Sequence, residues 1–356
     1  MTKLLEMTKN TPTVLWNDSA SLGELSASIE QNGTVGATCN PVIVMDVLKK
    51  EYSFWKERIP QIIKEMPLAT EGEIGWKLVE EISVKAAKLL EPAFKKSNGR
   101  DGRLSIQTDP RFFRNPEKIV EQAVHFAGLA PNIIVKIPVT SAGITAIEEA
   151  TARGVSINAT VSFSVPQALA VAEAVERGLK RREKEGQEIS SMGPVCTIMV
   201  GRLDDWLRVA AGKEDIICDP AVFEWAGVAA MKKAYRIYRE RNYRLRLLSA
   251  AFRNHMHWSE FIGGDVVISP PYKWQERFNK STITVEERMD KPVPATILSE
   301  LEDKFSDFRR AYEEGGMSKE EFDSFGPTQR TLRQFSAACH ELEVFIRDIL
   351  IPNPDK

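Results

Sequence analysis

The chain has 356 residues and a formal net charge of -2, with 43% apolar and 28% charged residues. This composition can supply an apolar core and gives no overall positive field for nucleic acid or an anionic membrane. No apolar run is long enough to span a bilayer, and the N-terminal "MTKLLEMTKN" lacks a secretory pattern. We therefore expect a soluble, cytoplasmic protein that binds neither nucleic acid nor membrane.

Eight short runs rich in β-branched residues alternate with longer helical patterns, as a parallel sheet requires of its crossovers. In chain order they are TVLWN from Thr13, TVGAT from Thr34, RLSIQT from Arg103, NIIVKIP from Asn132, VSINATVSF from Val155, PVCTIMV from Pro194, YRLRLLSA from Tyr243 and DVVIS from Asp265. The intervening helices carry end signals. Asn115 before Pro116 is typical of a helix start, and Gly154 of a helix end.

Eight β/α steps predict an α/β fold, a single (β/α)8 barrel. An open doubly wound sheet is the alternative, but it predicts a glycine fingerprint after the first strand, and "LWNDSASLGEL" has none. After Ser269 the pattern becomes helical, with one helix expected over "PATILSELEDKFSDFRRAYEEG" and another over "TQRTLRQFSAACHELEVFIRDIL". We expect residues 1–356 to form one domain, with 294–356 a helical C-terminal extension packed on the barrel.

Catalytic groups of such barrels lie at the C-terminal ends of the strands. In this chain those positions are rich in hydroxyls, amides and cations, with one candidate carboxylate near the lysine. They are Asp18, Thr38, Asn40, Gln107, Asp109, Lys136, Asn158, Thr160, Ser162, Thr197, Arg202, Ser249, Arg253 and Ser269. No histidine is among them, and the four cysteines are scattered without metal-like spacing. The sequence therefore argues against histidine-based catalysis and against a His-ligated metal.

Lys136 lies inside the apolar run "NIIVKIP". One interpretation is a lysine paired to a buried carboxylate or extending out of the strand end. The other is an amine whose pKa is lowered by desolvation, so that it can attack a carbonyl and form a Schiff base. Asp18 is either a helix cap or a base for a substrate hydroxyl. Arg202 and Arg253, after consecutive strands, together suit an oxyanion such as phosphate.

The blocks "TCNP", "IVKIPVTSAGITAIEEATARGVSINATVSFS", "VGRLDDW", "AAFRN" and "ISP" occur in this order and resemble the transaldolase family. The resemblance covers about residues 13–271 and is most specific around Lys136 and Asn158. It implies a cofactor-free enzyme of the pentose phosphate pathway that uses a lysine Schiff base. Such enzymes transfer a dihydroxyacetone unit from sedoheptulose 7-phosphate or fructose 6-phosphate to an aldose phosphate.

The resemblance also implies roles for individual residues. Lys136 matches the Schiff-base lysine, and Asp18 the acid/base aspartate for the C4 hydroxyl. The other matches are Asn40 and Asn158 for the dihydroxyacetone hydroxyls, Thr38 in the site wall, Thr160 for the catalytic water, Thr197 in the substrate pocket, and Arg202 with Arg253 for the phosphate.

Four positions depart from the family pattern. Gln107 replaces a glutamate that passes protons through the water, as in the fructose 6-phosphate aldolase branch. Met199 replaces a phenylalanine, Thr197 a serine, and Ala251 a serine beside the phosphate arginine. A fructose 6-phosphate aldolase, or an enzyme for another sugar phosphate or a sulfosugar, therefore stays open as an alternative. So does a non-catalytic sugar-phosphate binder, and a homodimer is one expectation for the assembly.

Overall fold

The computed structural model describes residues 1–355 and contains eight parallel strands surrounded by helices. The strands are β1 Val14–Leu15, β2 Gly36–Thr38, β3 Arg103–Gln107, β4 Ile133–Pro138, β5 Ile157–Thr160, β6 Val195–Ile198, β7 Arg246–Ser249 and β8 Val267–Ile268. Their order in the sheet is β1-β8-β7-β6-β5-β4-β3-β2. All eight predicted strands form, each shorter than its sequence run.

Backbone hydrogen bonds between Asn17, two residues after β1, and β2 close the sheet. The Asn17 N–H donates to the Gly36 carbonyl at 2.9 Å, and the Thr38 N–H donates to the Asn17 carbonyl at 2.9 Å. A closed parallel sheet has no free edge, whereas a doubly wound sheet has two. The predicted (β/α)8 barrel is therefore confirmed.

The helices follow the strands as the sequence pattern indicates. They are α1 Lys3–Asn10, α2 Leu22–Asn32, α3 Pro41–Lys50, α4 Tyr52–Glu65, α5 Glu71–Lys96, α6 Pro116–Ala127, α7 Ser141–Ala152, α8 Val165–Lys184, α9 Val200–Lys213, α10 Ala226–Glu240, α11 Met256–Ser259, α12 Tyr272–Lys280, α13 Ala295–Lys304, α14 Ser306–Tyr312 and α15 Gly326–Leu350. Asn115 caps α6 by accepting the Lys118 N–H at 2.9 Å. Within residues 1–355 no helix is both long and apolar enough to cross a bilayer.

The first C-terminal helix was predicted as one element, and this is wrong, because α13 and α14 are separate. Phe305 between them is extended, with φ -118° and ψ 105°. Its side chain is buried and packs edge-on against Phe223, with ring centroids 5.6 Å apart. Burial of a phenylalanine contributes about 2 kcal/mol, which outweighs the small intrinsic preference for one unbroken helix.

The last helix lies against the barrel. α15 contacts α3, α5 and α9, and its Glu343 accepts a charge-assisted bond from Arg111 at 2.6 Å. Toward its N-terminus, Thr331 and Phe335 reach the C-terminal ends of the strands. The C-terminal helices thus contribute side chains to the mouth of the barrel.

An apolar cluster fills the barrel below that mouth. Its members, which we name the floor cluster, are Trp16, Ile134, Val195, Leu248, Ala250 and Val267. Alternate residues of a strand face the same side, so Ile134 points inward like Lys136 two positions later. A Cβ on Gly36 would lie 2.4 Å from the Trp16 ring. Glycine is therefore needed at position 36 to admit the indole.

Candidate active site

A cleft of about 350 Å³ opens at the C-terminal ends of the strands. Eight of the predicted site residues line it, namely Asp18, Asn40, Lys136, Thr160, Thr197, Met199, Arg202 and Arg253. Thr38, Gln107 and Asn158 are buried beside it. Three larger cavities, of about 590, 750 and 480 Å³, lie along α10, at the opposite end of the barrel and between α6 and α7. The 350 Å³ cleft combines convergent polar groups with Lys136, whereas the largely buried Lys232 in the 590 Å³ cavity is paired with Glu260 at 2.7 Å.

Strand register places three predicted residues side by side. Gln107 on β3 pairs with Lys136 on β4, and Lys136 pairs with Asn158 on β5. Residues paired in this way in a parallel sheet point to the same face. These three side chains, which we name the lysine layer, therefore project into the barrel directly above the floor cluster.

Lys136 is 5% exposed, and over residues 1–355 no carboxylate lies within 4.0 Å of its ammonium. Lys136 therefore forms no direct ion pair among these residues, although the buried Asp18 carboxylate is near enough to act on its charge. Burial lowers the pKa of Lys136, with a smaller contribution in the same direction from Arg202, while Asp18 partly opposes the shift. The lysine is thus biased toward the neutral, nucleophilic amine.

Asp18 faces the same cleft from the end of β1. The Thr38 hydroxyl donates to Asp18 Oδ1 at 2.5 Å, and Ser269 lies 3.0 Å from that hydroxyl. Burial raises the pKa of Asp18, against the lowering influence of Lys136 and Thr38. Ser21, not Asp18, is the residue before α2. The carboxylate is therefore free of the capping role that the sequence left open.

The two asparagines are held by different partners. Asn40 Oδ1 accepts the Ile43 N–H at 3.1 Å and so caps α3, which leaves its amide N–H groups for the cleft. Asn158 is fully buried, donates to Ser105 Oγ at 2.9 Å and accepts from Thr197 Oγ1 at 2.7 Å. Fixed amides of this kind can orient hydroxyl groups of a ligand without moving.

Gln107 and Thr160 lie on either side of the lysine strand. Gln107 is 3% exposed, and its Oε1 has no hydrogen-bond partner among the described residues. Thr160 Oγ1 lies 4.0 Å from Met199 Sδ, a weak contact. Val161 next to Thr160 has φ +55°, which is strained for a β-branched residue. Such strain often accompanies a functional strand end.

Arg202 lies at the opposite wall, under α15. Its guanidinium stacks on Phe335 with a centroid distance of 5.5 Å, and Nη1 donates to Thr331 Oγ1 at 3.4 Å. Nε is buried without a partner among residues 1–355. Burial lowers the pKa of Arg202 to about 10, and neighbouring Arg253 acts in the same direction. This cation is therefore well placed for an anion.

Arg253 is held more tightly by the protein. Nε and Nη2 both reach Asp205 Oδ2, at 2.9 and 2.8 Å, and Nη1 contacts the Ala251 and Phe252 carbonyls at 3.3 and 3.1 Å. Ala251 has φ +64°, an uncommon backbone state for alanine. The loop after β7 is thus fixed in an unusual shape around this arginine.

Several residues at the site were not anticipated from the sequence. Tyr272, Lys273 and Trp274 line the cleft after β8, and Gln334 and Phe335 line it from α15. The run "PPYKW" directly after the predicted eighth strand was a local signal that could have indicated the first three. Nothing in the sequence near Phe335 indicates which part of the barrel α15 covers.

Asp109 was among the strand-end candidates, but it faces away from the cleft. It accepts the Arg111 N–H at 2.9 Å and forms an ion pair with that guanidinium at 2.6 Å. It therefore stabilises the turn after β3.

The fold and the site together define a (β/α)8-barrel protein with a buried lysine at the C-terminal mouth of the barrel. The chain matches the Transaldolase/Fructose-6-phosphate aldolase family over residues 15–343. It therefore belongs to that family, and the resemblance noted in the sequence is confirmed.

Individual relatives agree with this assignment. Transaldolase 2 of Streptomyces avermitilis is 31% identical over 249 residues, which cover 67% of this chain and 65% of the relative. The transaldolase of Mycolicibacterium smegmatis is 32% identical over 231 residues, covering 64% of this chain and 61% of the relative. The chain thus spans somewhat less than two thirds of the length of these curated relatives.

Proposed function

We propose that the protein is a transaldolase that transfers a dihydroxyacetone unit from a ketose phosphate to an aldose phosphate. The donor would be sedoheptulose 7-phosphate or fructose 6-phosphate, as in the pentose phosphate pathway. The observation that carries the proposal is Lys136, buried in the cleft with a lowered pKa and no carboxylate within 4.0 Å in the described chain. Membership of the family supports the same chemistry.

The first half of the reaction forms the Schiff base. The neutral Lys136 amine attacks the C2 carbonyl of the ketose, and the carbinolamine loses water to give an iminium. Gln107 and Thr160 border this point and would hold the water. Asn40 and Asn158 would bind the hydroxyls of the dihydroxyacetone part.

The second half breaks and remakes a carbon–carbon bond. Asp18 removes the proton of the C4 hydroxyl, the C3–C4 electron pair moves into the iminium, and an enamine and an aldose are formed. Attack of the enamine on an acceptor aldehyde reverses these steps, and Asp18 returns the proton. Arg202 and Arg253 would bind the terminal phosphate, and Thr38 would hold Asp18 in position.

Borohydride trapping tests the central step. The protein is incubated with fructose 6-phosphate or dihydroxyacetone, reduced, and analysed by mass spectrometry of peptides. We expect an adduct on Lys136 in the wild type and none in Lys136→Ala. A wild type without an adduct for any ketose phosphate tried would refute both enzymatic proposals and favour the sugar-phosphate binder.

A fructose 6-phosphate aldolase is the second candidate, because Gln107 cannot titrate where a glutamate would pass protons. In that case water releases free dihydroxyacetone from the enamine without an acceptor. A coupled assay for dihydroxyacetone separates the two. Donor turnover that is equally fast with and without acceptor aldehyde would favour the aldolase. A sulfosugar or another terminal anion is tested in the same assay by changing the donor.

We also propose that the chain forms a single domain, since α15 packs on α3 and α5 of the barrel. A cytoplasmic location and a homodimer stay predictions.

A further inference from the structure

A buried Asp–His pair lies behind the loop that carries Arg253, and the proposed reaction does not use it. Asp204 and His257 are both fully buried, and His257 Nε2 lies 2.9 Å from Asp204 Oδ2. His257 Nδ1 accepts the backbone N–H of Arg253 at 3.0 Å. Asp204 Oδ1 accepts the Gly227 N–H at 2.9 Å. The pair thus links α9, the start of α10 and the loop after β7.

These contacts fix the tautomer of the imidazole. Nδ1 accepts a backbone N–H and so carries no proton, while a carboxylate can only accept, so Nε2 carries the proton. The 3.4 Å contact of Nε2 with Asn254 Nδ2 is longer and does not change this. Asp204 therefore selects the one neutral form of His257 that can hold the Arg253 backbone.

The loop needs such support. Ala251 is strained at φ +64°. A strained backbone conformation persists only when contacts with the surrounding structure hold it in place. A Cβ on Gly201 would lie 2.1 Å from the Ala251 carbonyl and 2.6 Å from Arg253 Cγ. The loop, the start of α9 and the His257 ring therefore pack without free space.

We propose that Asp204 and His257 are positioning residues that set the place of Arg253, and through it the affinity for the terminal anion of the substrate. This inference rests on the proposed function. The expected ligand class is a ketose with an oxyanion at its far end. The pair acts only through Arg253, so dihydroxyacetone, which lacks that anion, should be bound independently of it.

Two substitutions of His257 separate the contacts, because asparagine places a polar atom near the Nδ1 position and glutamine near the Nε2 position. His257→Asn keeps an acceptor for the Arg253 N–H, whereas His257→Gln removes it and keeps the reach to Asp204. Asp204→Asn would donate to Nε2, force the other tautomer, and so also remove the acceptor for Arg253. It should behave as His257→Gln does.

The test measures the half-saturating concentration for borohydride trapping on Lys136 with fructose 6-phosphate and with dihydroxyacetone. For fructose 6-phosphate we expect about a tenfold increase in His257→Gln and Asp204→Asn, as for loss of one hydrogen bond. His257→Asn should stay within about threefold of the wild type on the same scale. The value for dihydroxyacetone should not change in any variant.

The positioning role would be overturned if the variants lost affinity for fructose 6-phosphate and for dihydroxyacetone equally. It would also be overturned if His257→Gln and His257→Asn lost the same affinity for fructose 6-phosphate. Either result would indicate a general role in folding. Thermal unfolding identifies any variant that does not fold, and Asp204→Asn then carries the prediction alone. Binding of inorganic phosphate by calorimetry is the independent readout. If the wild type binds phosphate but shows no trapping, the proposed reaction fails while the inference is still tested by the phosphate affinities.

Discussion

Two sets of side chains fill the barrel interior, and they differ in chemistry although they lie two residues apart on the same strands. On β4 the floor cluster contributes Ile134 and the lysine layer contributes Lys136. On β6 the floor cluster contributes Val195, while Thr197 lies above it and bonds to Asn158. The floor excludes water and gives the barrel its core. The layer above lies against this apolar floor, and burial there lowers the pKa of the Lys136 amine.

Replacing Asp18 should give the largest effect on chemistry in the upper region. Asp18→Asn keeps the size of the side chain but removes the base, so cleavage of the ketose should fall about 10²- to 10⁴-fold. Trapping of dihydroxyacetone on Lys136 should persist, because it needs no C–C cleavage. Burial raises the pKa of Asp18 and disfavours its charge, so the variant should unfold no more easily than the wild type.

Steady-state kinetics and denaturant unfolding check this prediction together. Asp265→Asn is the matched control, since Asp265 is exposed and pairs with Arg100 at the other end of the barrel. A normal cleavage rate in Asp18→Asn would show that another group removes the proton.

Removing a side chain of the floor cluster should instead lower the stability of the protein. Ile134→Ala leaves a cavity under Lys136 and should lower the free energy of unfolding by about 2–5 kcal/mol, with Ile134→Val about 0.5–1.5 kcal/mol as the graded control. Denaturant titration measures both. If Ile134→Ala has the same free energy of unfolding as the wild type, the floor cluster does not stabilise the barrel as we expect.

The pH dependence of Schiff-base formation tests the lowered pKa of Lys136. Only the neutral amine reacts, so the initial trapping rate should rise about tenfold per pH unit while Lys136 is protonated. It should level off below the ordinary lysine value of 10.5. A rate that is still rising above pH 10.5 would contradict the desolvation argument.

The same shift predicts a change in stability. The folded chain releases the Lys136 proton at lower pH than the unfolded chain, so stability rises with pH between the folded and the unfolded pKa. Lys136→Met should remove this dependence and raise stability at neutral pH, whereas Lys49→Met, at an exposed lysine of α3, should not. Unfolding free energies at several pH values measure the difference.

A smaller effect than that of Ile134→Ala is expected for Thr197→Val, which removes the hydroxyl that donates to Asn158. The buried amide oxygen then lacks this partner, which should cost about 1–3 kcal/mol of stability. Thr151→Val is the control, because the buried Thr151 hydroxyl has no hydrogen-bond partner among the described residues. Similar losses in the two variants would show that the bond to Asn158 contributes little.

The strands could be predicted because each is a short β-branched run between helical patterns, and Lys136 stood out because a charge rarely lies in such a run. The interruption between α13 and α14 at Phe305 could not be predicted, since it depends on contact with Phe223, which is far away in the sequence. The proposed positioning role of His257 was also not anticipated. A search limited to strand ends does not reach a residue on α11 that acts through a backbone N–H.

The amino-acid sequence by itself determined the alternation of strands and helices, the barrel, the lysine within an apolar strand and the family, because these depend on local pattern and residue type. The tertiary structure decided how the parts meet. Strand register set Gln107, Lys136 and Asn158 side by side. Packing of α15 placed Phe335 against the Arg202 guanidinium, and the Asp204–His257 pair bonded to the backbone of Arg253. Each of these contacts joins residues distant in the chain, and only closure of the barrel brings them together.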